Sequence, residues 1–584
     1  NKTNENWEWQ SHTVNDSVIY TPIVIDRNHA FTKVDGVLFK QMLKMLSLDF
    51  ICNYDSLILK DTKKINKLAF ALDMAVAGRS DESVWIRQAQ EIRKQMTDSL
   101  IDSAFTYLPE GVKHDEIELI KRKLKRRRLE LEAVASQYYR LLQRTPVVAG
   151  TNQSDYFLIE RQAPDRTILR IYDPETGDCR LEQQFSGRET KELWLYGLAG
   201  NDTFEVKGNT RKDFPIYLIS GEGENQYQLN HNRKIHVYDK DYKYDYQKIK
   251  YHKISFTPWG IYDSDKGISL GTFFTYTMYG FKRAPFTYQH RIGYNYLKGF
   301  MYAGVFPNYD GRRRLYLNAS ISSPRNFENF FGFGNNTAGY KEEKKNYNRV
   351  KLRTYMLNPS FEMDLRKEEV VTFFGSLDMY KAKRTDDRYI YTVYGEDHPI
   401  FRTNYFVGLG ATYRITKQPY SWLPLLETEW TAGWKMNLKK PERNFPYAQG
   451  SLSWNVRFSD RFTWASLMKG TVLFDNDYEF YQAATIDLRG FRDNRFIGKQ
   501  SFYQYSDLRL DMGKLKNPFT PLKYGLFAGF DYGRVWFPGE RSHSWHTSYG
   551  GGIWLTFLNK FTTKYSWFGS TDSFRFAFEL GLGF

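Results

Sequence analysis

The alternation of side-chain types in the last residues of the chain is the feature that most constrains its fold. Successive side chains of a β-strand point to opposite faces, so a strict alternation gives this segment one face of pure hydrocarbon and one of charged or small residues. A water-exposed sheet would leave such an apolar face in contact with solvent. A strand of a membrane barrel instead places this face against lipid and turns its charged face to a wet lumen. The apolar positions are Phe574, Phe576, Phe578, Leu580, Leu582 and Phe584.

The same period-two alternation recurs upstream in segments of about 10–14 residues separated by turn residues, long enough to cross a membrane as β-strands. About sixteen can be counted between Lys248–Trp259 and Asp572–Phe584, an even number, as single-chain bacterial barrels have. The sequence therefore predicts a mainly β chain with a 16-stranded transmembrane antiparallel barrel over residues 248–584. A soluble β-sandwich is the alternative, but its strands are usually shorter.

Composition agrees with a barrel in the outer membrane of a Gram-negative bacterium. Aromatic residues make up 17% of the 584 residues, although the mean hydropathy is negative. No apolar run approaches the roughly 20 residues that a membrane helix needs. The expected contacts are therefore outer-membrane lipid or lipopolysaccharide, with the remaining domains in the periplasm.

Residues 1–150 are predicted to form a mostly helical periplasmic segment, with periodic stretches at Val34–Leu48, Asp81–Leu108 and Asp115–Leu142. The last of these contains a basic run over residues 121–128. Such a run could bind anionic lipid headgroups, but a solvated helix face is the favoured interpretation. No aromatic residue interrupts the run, so a nucleic-acid partner is not expected.

Residues 151–247 are predicted to form a small all-β periplasmic domain, either roll-like or sandwich-like, from short strands separated by turns. The segment Gly197–Phe204 resembles one turn of a calcium-binding β-roll, and residues 221–227 are a weaker echo. In such turns carbonyl and Asp oxygens ligate calcium. Asn201 and Asp202 are the candidate ligands, although turn formation without metal is the favoured interpretation, and no other cofactor is expected.

Two motifs near the C-terminus indicate the type of barrel. Leu488-Arg489-Gly490-Phe491 lies in a long segment, predicted at residues 475–500, before the strand that begins near Ser501, and Gly529-Phe530-Asp531-Tyr532-Gly533 lies within a later strand. Together they resemble the outer-membrane assembly and secretion superfamily of the BamA, TamA and FhaC type, also called bacterial surface antigens. The resemblance implies that the loop after the eleventh strand folds into the lumen and that its tip meets the Asp motif on the thirteenth.

The chemistry of this pair makes sense without the family. A barrel of 16 strands is wide enough to need filling, and a loop that fills it needs an anchor. Arg489 can donate two hydrogen bonds to the Asp531 carboxylate. Gly490 lets the backbone approach the wall, Phe491 packs beside it, and Gly533 completes the strand motif.

The resemblance further implies a function in inserting or translocating proteins at the outer membrane, with client outer-membrane or secreted proteins as partners and periplasmic or lipoprotein partners as additional candidates. It implies a weak seam between the first and last strands, where the terminal residues Phe574, Phe576, Phe578 and Phe584 also resemble a barrel recognition signal. A departure from the family is that no βααββ periplasmic domain is recognisable before the barrel.

The N-terminal part resembles a different architecture. Trp7-Glu8-Trp9-Gln10 and Ile25–Phe31 are similar to the linker of large Bacteroidota outer-membrane proteins, in which a calcineurin-like metallophosphoesterase precedes a barrel. The metal-binding motifs of that enzyme do not occur here, so no catalytic residues and no metal ligands are predicted in this chain. The resemblance implies an enzyme upstream of Asn1, with the barrel as its membrane anchor. The alternatives to protein insertion or translocation are therefore a membrane anchor for that enzyme and a passive pore. Whether Cys52 and Cys179 form a disulfide is left open.

Overall fold

The protein was analysed as a computed structural model. It divides into two compact units, one mainly Lys40–Tyr251 and one mainly His252–Phe584. Among the described residues, no helix combines the length and the apolar character needed to cross a membrane. The residues that the structure describes are 6–14, 17–25, 31, 43, 50–55, 58–108, 114–208, 212–230, 234–239, 242, 244–248, 252–263, 265–308, 311–337, 346–385, 387–417, 426–515, 522–557 and 561–582.

The second unit is a closed antiparallel barrel, which confirms the predicted fold class. Within the part of the barrel that the structure describes, the closed order contains seventeen strands. Of these, β17 (Phe327–Asn329) pairs only with β18, while β16 pairs directly with β18, so sixteen strands form the wall. They are β12 (Lys253–Asp263), β13 (Gly267–Met278), β14 (Tyr288–Asn295), β15 (Gly299–Pro307), β16 (Arg313–Ile321), β18 (Arg349–Arg366), β19 (Glu369–Ala382), β20 (Asn404–Lys417), β21 (Leu426–Asn437), β22 (Asn444–Arg457), β23 (Phe462–Leu473), β26 (Gln500–Leu515), β27 (Leu522–Trp536), β28 (His546–Phe557), β29 (Phe561–Gly569) and β30 (Phe574–Leu582).

Alternating burial along the strands separates a lumenal from an outward face. On β27, Leu526 and Phe530 are 45% and 50% exposed, whereas Phe527 and Asp531 are 5% and 0% exposed. An outward apolar face with polar groups inside is the arrangement of a lipid-facing barrel. The predicted strand bounds differ most at the first strand, which begins at Lys253, because Tyr246–Lys248 form a short 3-10 turn instead.

The first unit contains helices and a β-hairpin. The hairpin of β1 (Trp7–Val14) and β2 (Ser17–Val24) was not expected in the segment predicted as mostly helical, and the predicted helix Val34–Leu48 falls almost entirely outside the described residues. Cys52 and Cys179 are both free thiols. The helices are α1 (Thr62–Ile65), α2 (Phe70–Val76), α3 (Glu82–Gln95), α4 (Asp98–Ala104), α5 (His114–Leu129) and α6 (Leu131–Leu142).

Most of the basic run on α5 is engaged within the unit. Lys125 and Arg128 form ion pairs with Asp102 at 2.8 Å and Asp98 at 3.0 Å on α4. Arg127 donates to the Asp55 carbonyl at 2.6 Å and stacks over the Tyr54 ring. The run therefore joins neighbouring segments of the unit, which favours a structural role over lipid binding.

Residues 147–238 build two facing sheets in which the chain winds in parallel coils. β7, β9 and β11 pair in parallel in one sheet, and β8 and β10 pair in parallel in the other, so each coil contributes one strand to each sheet. Phe157, Phe204 and Leu218 lie fully buried between the sheets. The strands are β3 (Val147–Ala149), β4 (Tyr156–Gln162), β5 (Arg166–Tyr172), β6 (Cys179–Ser186), β7 (Leu193–Tyr196), β8 (Thr203–Gly208), β9 (Ile216–Ile219), β10 (Gln226–Leu229) and β11 (Ile235–Tyr238).

Polar side chains stack in register at the turns between these coils. Asp202 accepts the Asp155 N–H at 2.9 Å, and Asn225 accepts the Asp202 N–H at 2.9 Å. Beside this ladder, Asn201 accepts the Glu224 N–H at 2.9 Å. These hydrogen bonds satisfy backbone donors in the turns. No cluster of three or more His, Cys, Asp or Glu suited to a metal occurs in the described residues, and calcium at Asn201 and Asp202 stays a prediction.

Asp202 should make this unit more stable in mild acid than at neutral pH. Burial raises its pKa from 3.8 to about 7, so between those values the folded state holds a proton that the unfolded state lacks. Stability is then lost as the pH rises from about 4 to about 7, by at most about 1.4 kcal/mol per pH unit. Asp202→Asn should remove the dependence, and hydrogen-exchange protection of β8 at pH 5 and pH 8 measures it. Equal protection at both pH values in the unmodified protein would contradict the assignment.

Candidate functional site

The long segment between β23 and β26 lies inside the barrel. Leu488, Phe491 and Phe496 are 2–3% exposed, and they pack against Tyr503 and Val535 on the inward files of β26 and β27. The segment also carries its own short strands, β24 (Ala484–Thr485) and β25 (Ile497–Gly498). Counted along the sixteen-stranded wall, β23 is the eleventh strand and β27 the thirteenth.

Arg489 and Asp531 are in direct contact in the lumen. Arg489 Nε lies 3.1 Å from both Asp531 oxygens, Nη2 also donates to Oδ1, and the Arg489 N–H donates to Oδ2 at 3.1 Å. Ser548 on β28 donates to the same carboxylate at 2.8 Å. Asp531 is fully buried, so its charge depends on these donors.

A second carboxylate and an aromatic ring complete the arginine site. Arg489 Nη1 donates to Asp507 Oδ1 on β26 at 2.6 Å, and its guanidinium stacks over the Phe568 ring at 3.9 Å. Sequence reasoning identified Asp531 but missed Asp507 and Ser548. The available signal for Asp507 was that the inward file of the predicted strand Ser501–Met512 carries carboxylates, at Asp507 and Asp511.

The predicted glycines lie where backbone and wall approach each other. A Cβ on Gly490 would come within 2.6 Å of Ser548 Cβ and 2.9 Å of the Gly569 carbonyl. A Cβ on Gly533 would lie 2.7 Å from Tyr503 Cβ. Phe491, beside Gly490, meets the Phe496 ring edge-on at 5.3 Å. A larger residue at Gly490 would push the loop from the wall, and one at Gly533 would crowd the neighbouring wall strand β26.

Further arginines of the loop bind carboxylates in the turns at one end of the barrel. Arg492 pairs with Asp265 in the connection between β12 and β13, and Arg495 pairs with Asp572 between β29 and β30. Asp265 also lies 3.4 Å from Arg349. The loop is thus tied to both sides of the first-to-last strand junction. These partners were not predicted, because each is remote in sequence from the loop.

An apolar cluster joins the loop to two neighbouring loops at the same barrel end. Phe330 follows β16, Ile390 lies in the short helix α7 (Ile390–Tyr394) after β19, and Phe480 and Ile497 belong to the loop after β23. All four are at most 2% exposed. Since β16, β19 and β23 run in the same direction, the three loops meet at one end, here called the loop end, and pack there as a dry core.

The junction between the first and last strands is short. Among the described residues, β12 and β30 share two pairs, Tyr262↔Phe578 and Asp263↔Ala577. By contrast, β14 and β15 pair continuously from Gln289↔Val305 to Asn295↔Gly299. β12 also contains Pro258, a residue that sheets normally confine to edges because it lacks an N–H. The described part of the wall therefore has one place with few backbone hydrogen bonds, here called the seam.

The predicted C-terminal residues border this seam. Phe574 is 71% exposed, Phe576 contacts Tyr262 across the seam at 5.7 Å between ring centroids, and Phe578 contacts Tyr565 on β29 at 5.0 Å. Arg575, on the opposite face, is 7% exposed. Phe584 lies outside the described residues.

No protein-family model matches the chain, and no curated protein matches its sequence. Solved structures resemble it in part. BamA from Haemophilus ducreyi lacking POTRA domains 1–3 aligns with a TM-score of 0.42 and 11% identity, over 57% of this chain and 71% of that one. CdiB from Escherichia coli gives 0.37 and 11% over 56% and 63%, and CdiB from Acinetobacter baumannii gives 0.34 and 12% over 57% and 66%. The chain therefore spans less than two thirds of either CdiB chain.

Proposed function

We propose that this chain is an outer-membrane barrel of the BamA-type superfamily that assists the insertion or translocation of client proteins. The short seam between β12 and β30 is the observation that carries the proposal. The lumenal loop between the eleventh and twelfth strands, with Arg489 on Asp531 of the thirteenth, supports the superfamily assignment because the resemblance in sequence implied this pairing.

The seam supplies a template for a client strand. In hydrocarbon, each unsatisfied backbone group costs several kcal/mol, so pairing of an edge strand with another strand is strongly favoured. Beyond the two pairs at Tyr262 and Asp263, the rest of β12 from Lys253 to Ile261 pairs with β13 on one side and has no pair with β30 among the described residues. A client strand that adds to this edge gains backbone hydrogen bonds, as in other cases of β-augmentation.

The lumenal loop holds the barrel in shape while the seam opens. Arg492 on Asp265 and Arg495 on Asp572 bind the turns that flank the seam. Arg489 fixes the loop to the thirteenth strand. Because these ties hold both sides of the seam at the loop end, β12 can separate from β30 from the opposite end, near Lys253, while this core stays in place. Residues 1–247 then lie in the periplasm, where they meet clients or lipoprotein partners.

A reconstitution assay tests the proposal. The purified chain in phosphatidylethanolamine and phosphatidylglycerol vesicles should accelerate folding of a urea-unfolded eight-stranded client barrel at least tenfold, or about 1.4 kcal/mol of barrier. Heat-modifiable gel migration of the client measures folding. Vesicles that carry an unrelated closed barrel control for bilayer defects. No acceleration combined with a large, steady conductance would overturn the proposal in favour of a passive pore, and no acceleration with a closed barrel would favour a membrane anchor.

A further inference from the structure

A groove of about 910 Å³ opens on the outside of the barrel near the loop end, across β15, β16, β18 and β19. Its floor is apolar and faces outward: Phe300, Ile321 and Tyr355 are 58%, 47% and 40% exposed. Its rim is basic, and none of the described residues that line it is acidic. The rim residues are Lys351, Arg353, Lys381, Lys383 and Arg384.

The rim cations lie directly opposite one another on neighbouring strands. Arg353 on β18 pairs with Lys381 on β19, and just beyond them the Lys383 N–H donates to the Lys351 carbonyl at 2.9 Å. Like charges directly opposite in a sheet are destabilising. A bound anion would relieve the repulsion at two such pairs in succession, and none of these four side chains forms an ion pair within the described residues. Arg384 makes one exposed pair, with Asp397 at 3.7 Å.

The arrangement fits an amphiphile rather than a free anion. The floor is continuous with the outward apolar face, since Tyr355 is followed on the same file by Leu357 and Phe361, 38% and 41% exposed. A molecule with acyl chains along this file would place its headgroup between the rim cations. Basic residues beside a membrane surface attract anionic headgroups by about 1 kcal/mol each.

We propose that this groove binds a phosphorylated lipid from the leaflet at the loop end, with the phosphate between the Arg353–Lys381 and Lys351–Lys383 pairs and an acyl chain over Phe300, Ile321 and Tyr355. The inference requires that the barrel be embedded in a membrane but not that it act on clients. It therefore stands or falls separately from the proposed function.

Lipid retention in nanodiscs of neutral phosphatidylcholine tests the site. The probes are dioleoyl phosphatidic acid, dioleoylglycerol with the same chains and no phosphate, and inorganic phosphate, and native mass spectrometry counts bound lipid. Phosphatidic acid should bind at least tenfold more tightly than dioleoylglycerol. Arg353→Gln with Lys381→Gln should weaken its binding roughly thirtyfold, as expected for two basic residues at about 1 kcal/mol each.

The matched control is Lys514→Gln with Lys523→Gln. These lysines also lie directly opposite each other, on β26 and β27, but away from the groove, and their substitution should leave lipid binding unchanged. Heat-modifiable migration verifies that both variants form barrels. Equal lipid binding by the groove variant, equal loss in the control, or displacement of the lipid by equimolar inorganic phosphate would each overturn the proposal.

Discussion

Arg489→Ala is expected to leave the barrel assembled and to reduce client folding at least tenfold. The substitution removes the side-chain donors that Arg489 gives to Asp531, which is fully buried. Removing one partner of a buried ion pair costs about 3–5 kcal/mol. Asp507 keeps Arg509 and Lys564 at 3.6 and 3.8 Å, so the uncompensated charge falls on Asp531. The wall itself should persist, because its backbone pairing does not involve the loop.

Two measurements separate loss of anchoring from loss of folding. Heat-modifiable migration should match the unmodified protein, while trypsin should now cleave the loop at Arg492 or Arg495. Arg457→Ala is the matched control, because Arg457 binds only exposed groups of the turn after β22: the Asp460 carboxylate at 3.3 Å and the Ser459 and Asp460 carbonyls. Arg489→Lys should be intermediate, since lysine keeps the charge but cannot fork onto the carboxylate. Full activity with a trypsin-resistant loop in Arg489→Ala would refute the anchor.

The barrel could be predicted because the residue pattern that specifies each strand lies within that strand. Alternation along one strand specifies which face is apolar, and turn residues mark the strand ends, so His546–Phe557 was placed without error. The Arg489–Asp531 contact was predictable only through its motifs. Contacts that join remote segments had no local signal: Arg492 finds Asp265 across 227 residues, and neither segment is distinctive alone.

The first unit shows the same limit. The turn residues of Gly197–Phe204 predicted one coil, but the parallel register of β8 with β4 and β10 depends on how neighbouring coils stack. That stacking uses Asp155, Asp202 and Asn225 as rungs of one ladder. A single turn resembles a metal site because metal ligation and acceptance of a backbone N–H both need an oxygen-bearing side chain at the same position. Only the structure of the neighbouring coil shows which N–H that side chain accepts.

A disulfide across the seam is expected to abolish client folding. Tyr262 and Phe578 lie directly opposite, so Tyr262→Cys with Phe578→Cys places two thiols where paired strands bring Cβ atoms within bonding range. In the protein without the disulfide, separation of β12 from β30 breaks only these two residue pairs among the described residues. A covalent bond removes that movement, so the oxidised protein should act at the rate of empty vesicles and recover when reduced.

The control lock isolates the seam from general stiffening. Gln289→Cys with Val305→Cys joins β14 to β15, which are already fully paired, and should leave client folding unchanged. Cys52 and Cys179 are free thiols, so both become serine in every variant. If the oxidised seam variant keeps its activity, the client does not enter between β12 and β30. If both locks inactivate equally, the barrel must deform as a whole, and the short pairing at the seam would have no special part in the mechanism.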